Sequence, residues 1–234
     1  MQNHTTYLDK AVISTIFNII VQYREGLVSG LLVTIELSLI IWVVGIIVGS
    51  LLGALSAQYP NEIGKPSRVI SFILSGIPIL VLLFWLHFPL QEIFRVVINP
   101  FITAAFALSL VNIFAVAEIV RTALIEFPEQ YIVAGKVCGL KKREIFKKIQ
   151  FPIIFRQIIP GILTTQVVML QLTLFASLIS VQELFRVAQS INASIYKPVE
   201  IYTALAFFFL MICLPLNGLA MFLKYKYTRN LSEK

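Results

Sequence analysis

Leu37–Asn61 reads LSLIIWVVGIIVGSLLGALSAQYPN, without a single Asp, Glu, Lys or Arg. A hydrocarbon core of about 30 Å is crossed by roughly 20 helical residues. In lipid, such a stretch satisfies its own backbone only as a helix. Four more uncharged stretches follow: Val69–Gln91, Val96–Ala117, Gln157–Gln182 and Ile201–Leu223. The pattern predicts an all-α integral membrane protein with about five transmembrane helices. Composition agrees: 58% of the 234 residues are hydrophobic and 13% charged, with a mean hydropathy of +0.88. A soluble domain carries about a quarter charged residues. The length allows one domain of several spans and no large soluble module.

Ala11–Tyr23 is shorter and mixes apolar with polar residues, which suits an interfacial helix lying against the membrane. The first residues lack a positive n-region and 11–21 is too short to span, so no cleavable signal peptide is expected. The expected organisation is an N-terminal interfacial segment 1–29, a transmembrane domain 30–225 and a tail 226–234.

The net charge of +7 is unevenly placed. With the N-terminus outside, the inner segments 62–68, 118–156 and 224–234 hold fourteen of the 19 basic residues. The outer ones hold Lys10, Arg24, Arg95, Arg186 and Lys197. The positive-inside rule therefore predicts an outer N-terminus and a cytoplasmic C-terminus. The same rule accounts for the basic balance without nucleic acid.

Gly45, Gly49 and Gly53, with Ala57, repeat every four residues and share one helix face. Small residues so spaced let a second backbone approach. The neighbour is either another helix of this chain or a second subunit.

The longest hydrophilic stretch, Pro128–Pro152, reads PEQYIVAGKVCGLKKREIFKKIQFP. Pro128 suits a first helical turn and Gly139 a left-handed helix end. A second helix, Lys141–Gln150, places Ile145 and Ile149 on one face. Pro152 is expected to stop it. The result is two short helices joined at a glycine and held between two spans. In isolation this also reads as a helix-turn-helix with a basic second helix, but both ends are tied to spans, so DNA binding is not expected.

No G-x-x-x-x-G-K-[ST] loop occurs, so the chain is not expected to bind ATP. His4 and His87 are far apart and lack cysteine neighbours at ligand spacing, so no metal site is expected. Cys138 and Cys213 read as unpaired thiols. No catalytic set stands out. Glu118 and Arg121 are three apart and expected to pair. In the fourth stretch, Gln166, Thr173 and Ser177 fall on one helical face, and Thr164 with Gln171 on another. Polar groups at that depth need a partner, which is either a neighbouring helix or a solute in a cavity.

The loop resembles the EAA loop of ABC importer permeases: Glu-Ala-Ala, three residues, Gly, nine residues, Ile, one residue, Leu-Pro. Here Val133-Ala134-Gly135 is followed at the same spacing by Gly139, Ile149 and Phe151-Pro152. Val replaces the Glu, Gly the second Ala and Phe the Leu. Gly30–Ser38, Ala117–Arg121, Glu183-Leu184, Ala188-Gln189 and Tyr196-Lys197-Pro198 are similar to the polar amino acid subfamily, the relatives of histidine and glutamine permeases. The likeness covers about residues 26–225. It weakens at Ser75–Pro78, where the subfamily has Arg-Gly-Thr-Pro, and at Gln171-Leu172-Thr173, where it often has a charged run.

The resemblance implies the membrane-spanning subunit of a bacterial cytoplasmic-membrane importer for polar amino acids. A separate ATPase, which holds ATP and magnesium, would dock on the loop. A second permease subunit, of the same or a different chain, would complete the path, and an extracytoplasmic binding protein would deliver solute. Glu129, Val133, Ala134, Gly135, Gly139, Ile149 and Pro152 would couple to the ATPase, with Glu129 standing in for the missing acid at Val133. A channel or ion-coupled carrier fits less well, because the spans lack mid-membrane charges. A membrane anchor without transport would lack a neighbouring ATPase gene.

Overall fold

The computed structural model describes residues 14–229, which are helical and contain no strand. After a short α1 (residues 14–22) come α2 (Arg24–Gln58), α3 (Lys65–Gly76), α4 (Ile79–His87) and α5 (Pro89–Phe94). They are followed by α6 (Pro100–Ile125), α7 (Glu129–Val137), α8 (Lys142–Ile145), α9 (Phe151–Leu172), α10 (Leu184–Ile195) and α11 (Pro198–Arg229). Three stretches are long and apolar enough to cross a membrane as α2, α6 and α11, and a fourth as the continuous run Lys142–Ile179. The second expected span is broken: α3 ends at Gly76, and Ile77 and Pro78 are extended. Proline disfavours a helical conformation in the residue before it. Counting that broken pair once makes five.

The expected boundaries shift at both ends. Residues 24–29 already belong to α2, and 226–229 continue α11. Part of the expected interfacial helix, residues 11–13, lies outside the described residues, as do 230–234 of the tail.

The chain forms two compact units. In the first (Met1–Ile40, Pro78–Leu108, Met169–Leu214), α10 buries Leu184, Ala188 and Ile191 against Ile19, Leu27, Ile201 and Leu205. Gly30 makes room for this: a Cβ there would sit 3.0 Å from the Leu184 backbone. Glu183 caps α10, its carboxylate accepting from the N–H groups of Phe185 (2.9 Å) and Arg186 (2.7 Å). Leu184 N–H donates to Thr34 Oγ1 at 3.1 Å. Gln91 ties the α4–α5 corner to α6, accepting from Ile98 N–H (2.9 Å) and donating to Thr103 Oγ1 (3.3 Å). His87 Nδ1 lies 3.1 Å from Gln91 Nε2.

In the second unit (Ile41–Ile77, Ser109–Val168, Pro215–Lys234), the glycine face of α2 meets α6 of the same chain. A Cβ at Gly45 would lie 2.1 Å from Asn112 Nδ2, at Gly49 2.6 Å from Ile113 O, and at Gly53 2.5 Å from Ala117 O. The stripe is filled by this intramolecular contact. Cys138 and Cys213 are free thiols.

Candidate functional site: the loop between α6 and α9

α7 ends in a left-handed Gly139, φ 75°. Leu140 N–H donates to Gly135 O (3.0 Å) and Gly139 N–H to Lys136 O (2.9 Å), the paired bonds of a Schellman stop. A Cβ at Gly139 would meet nothing within 4 Å, so the backbone conformation alone favours glycine there. α8 then starts at Lys142, where Glu144 Oε2 accepts from Lys141 N–H at 3.0 Å and Glu144 pairs with Lys148 at 3.3 Å.

Gly135 sits where the two short helices touch. A Cβ there would fall 2.9 Å from Ile145 Cγ1 and 3.3 Å from Ile149 Cδ1. Ile145 is buried, so its branched side chain explains why glycine stands in place of alanine. Below this contact, Ala123, Phe127 and Ile154 form a buried cluster with Tyr131, Ile132 and Ile149. The rings of Phe127 and Tyr131 lie 5.8 Å apart. The loop is therefore seated on apolar side chains, with Glu129, Val133, Ala134 and Val137 on its exposed side. Val137 is 82% exposed. Glu129 and Val133, four residues apart on α7, share a face.

The second short helix does not stop at Pro152. After Ile145 the chain makes a wide turn, Phe146–Gln150, in which Phe151 N–H bonds Phe146 O, and it runs on into α9. A proline ring clashes with the carbonyl four residues earlier in a regular helix and lacks an N–H. An i→i+5 turn relieves both problems. Pro60–Gly64 makes the same kind of turn two residues before Pro66. Pro152 is half-buried and acts as a joint.

At the loop end of α6, Arg121 grips Glu118 with two nitrogens, Nε to Oε2 at 2.9 Å and Nη2 to Oε1, as their spacing predicts. Thr122 Oγ1 also donates to Glu118 Oε1, at 3.4 Å.

The polar residues of the fourth span divide. Gln166 is sealed in: its amide exchanges hydrogen bonds with Asn112, at 2.8 and 3.2 Å. Asn112 also donates to Ile41 O (2.9 Å), and Trp42 Nε1 donates to Gln166 O (2.9 Å). Gln166 thus ties α2, α6 and α9 together and does not open onto a path. Thr173 and Ser177 are fully buried, donating to Leu170 O and Leu174 O (both 2.7 Å) of their own helical run. Gln171 is exposed. Asn112 and Glu183 were not expected as key residues. A lone Asn in an uncharged span was the available signal for the first. Nothing local marked Glu183 as buried.

A model of the family "Binding-protein-dependent transport system inner membrane component" matches residues 45–229. The L-cystine transport system permease of Bacillus subtilis is 31% identical, over 81% of each chain. The glutamine permease of Escherichia coli K12 is 28% identical over 82% of this chain and 88% of its own. The histidine/lysine/arginine/ornithine permease of the same organism is 25% identical over 86% and 93%. The fold is similar to a crystal structure of an amino acid ABC transporter with histidines, with a TM-score of 0.80 at 22% identity, covering 90% of this chain and 98% of that one. An inward-facing structure of a methionine ABC transporter gives 0.61, covering 88% and 96%. With most of its length matched from Gly45 to Arg229, this chain belongs to the family of binding-protein-dependent transport system inner membrane components.

Proposed function

We propose that the chain is the permease subunit of an ATP-driven importer for polar amino acids. The observation that carries this reading is the loop 128–152. Its apolar side is locked onto α6 and α9 through Phe127, Tyr131, Ile149 and Ile154, while its opposite side is exposed. A module held this firmly moves with the spans, so a partner that pushes on it moves them. The relatives' names, cystine, glutamine and histidine among them, support an amino acid as cargo.

A separate ATPase docks on the exposed side of α7, at Glu129, Val133 and Ala134, and carries ATP and magnesium. A second permease subunit and an extracytoplasmic binding protein complete the complex. The N-terminus lies outside and the loop faces the cytoplasm, as the basic residues indicate. Closure of the ATPase dimer rocks the spans between two states, and solute meets the fourth span near Gln171. Gln171 is exposed and uncharged, so it offers hydrogen bonds to a zwitterion of either side-chain sign.

The test is purification in mild detergent followed by reconstitution with the co-purifying subunits. ATP-dependent uptake of labelled glutamine, histidine or cystine is expected. A chain that brings down no ATPase, or vesicles that take up solute without ATP, would sink the reading.

A further inference from the structure

A cleft of about 740 Å³ lies within the second unit, between α9 and α11, at the end where the loop leaves the spans. Its walls are largely apolar: Ile119, Ile153, Pro160, Ala220 and Met221. Its polar lining is Arg156, Gln157, Thr164, Thr165, Lys224 and Tyr227. Among the described residues every charge lining it is positive, and no Asp or Glu lines it. Among the described residues the ion pairs are Glu118–Arg121 and Glu144–Lys148, so neither Arg156 nor Lys224 has a carboxylate partner. The threonine hydroxyls donate to Pro160 O and Gly161 O of their own helix, both at 3.0 Å.

A pair of cations above an apolar slot selects an amphipathic anion. A zwitterionic amino acid also brings an ammonium group, which needs an acidic partner that this cleft lacks. The volume further exceeds what so small a molecule fills. A phospholipid matches both halves. Its phosphate suits a guanidinium and an ammonium, its acyl chain suits the wall, and an aromatic hydroxyl such as that of Tyr227 belongs at headgroup level. Basic pockets between spans hold anionic headgroups on this principle. We propose that the cleft binds an anionic phospholipid, the phosphate held by Arg156 and Lys224 and an acyl chain lying along Pro160, Ala220 and Met221.

The test uses the full chain with whatever subunits accompany it in mild detergent, stripped of lipid and titrated with phosphatidylglycerol or phosphatidylcholine. Bound lipid is read by native mass spectrometry. Two cations at a membrane surface predict a preference for phosphatidylglycerol of roughly tenfold or more. The preference disappears in R156Q/K224Q and survives in K226Q, which alters a cation outside the cleft. M221E, which places a negative charge on the wall, abolishes it too and stands in should the double variant not fold. Equal binding of both lipids by the unmodified chain overturns the proposal, as does an unchanged preference in R156Q/K224Q or M221E. So does displacement of the lipid by millimolar glutamine or inorganic phosphate, which would make this a solute or free-anion site.

Discussion

Asn112 and Gln166 hold each other by both ends of their amides, across two spans and with Trp42 and Ile41 completing the ring of bonds. Asn112 is wholly buried and Gln166 nearly so. Replacing Asn112 by Leu strands the Gln166 amide. A buried unsatisfied polar group costs about 1–3 kcal/mol, although bonds within membranes average nearer 0.6 kcal/mol. N112L is expected to lower the thermal midpoint of the detergent-purified protein, and N112L/Q166L to regain part of the loss. A double variant as unstable as the sum of both single ones would show that the two amides do not act as a pair.

Gly139 holds a left-handed conformation in open space. A side chain there clashes with nothing, yet the conformation itself costs an L-residue about 1–2 kcal/mol. G139R should uncouple ATPase activity from loaded binding protein while the spans stay folded, and G139N, which tolerates that conformation, should retain much of the coupling. Full stimulation in G139R would show that the stop of α7 is not needed for coupling.

Glu129 lies one turn before Val133 on the exposed side of α7. E129A is expected to impair uptake several-fold, and E129A/V133E to restore part of it, because the acid is returned to the same face. Uptake by E129A equal to that of the unmodified chain would reduce Glu129 to a first-turn acid favoured by the helix dipole.

At the fourth span, Q171L should lower uptake while leaving expression and ATPase binding intact, since Gln171 is exposed and its loss unseats no buried partner network. Q171K should disfavour histidine, lysine and arginine more than glutamine. Uptake assays across these solutes decide the matter, and unchanged uptake of all of them in both variants would remove Gln171 from the path.

Glu183 is fully enclosed at the start of α10. Burial pushes its carboxyl up to about 7 from an ordinary 4.5, although the Phe185 and Arg186 N–H groups pull it down. A pKa raised on folding means that stability is fully present below the ordinary value and is lost as pH rises through the folded one. The thermal midpoint is therefore expected to fall between pH 5 and 8. E183Q keeps an acceptor for the cap and should flatten that slope; an equal slope in E183Q would assign the titration to another group.

Several elements were legible in the sequence for simple reasons. An uncharged run of more than about 20 residues has few options in lipid, so α2, α6, α9 and α11 followed from composition. Gly139 was legible because a left-handed helix end favours glycine. The Ile77-Pro78 break was harder, since the surrounding run is uncharged and Pro66 and Pro152 sit in helices without ending them. Pro66 and Pro152 follow a wider turn, while Pro160 and Pro215 lie inside α9 and α11 without ending them, so a proline in the local sequence does not by itself mark a break. The partner of the glycine face was also hidden. Gly45, Gly49 and Gly53 announce a close contact, but only the fold shows that Asn112, Ile113 and Ala117 make it. The same limit applies to Gln166, whose helical face matched that of Thr173 and Ser177 while its amide was already engaged by Asn112.

Because α8, the wide turn and α9 are one unbroken helical run from Lys142 to Leu172, the run resembles a crank about 45 Å long at ~1.5 Å per residue. Force applied at the basic end around Lys142 and Arg143 reaches the membrane interior with little slack. Two places in the run depart from a regular helix, the longer hydrogen-bonded turn Phe146–Gln150 and Pro160 within α9. The wide turn, nearer the basic end, would set the gear ratio between a push on that end and the rotation of the span, so stiffening it should change the stroke without changing the grip.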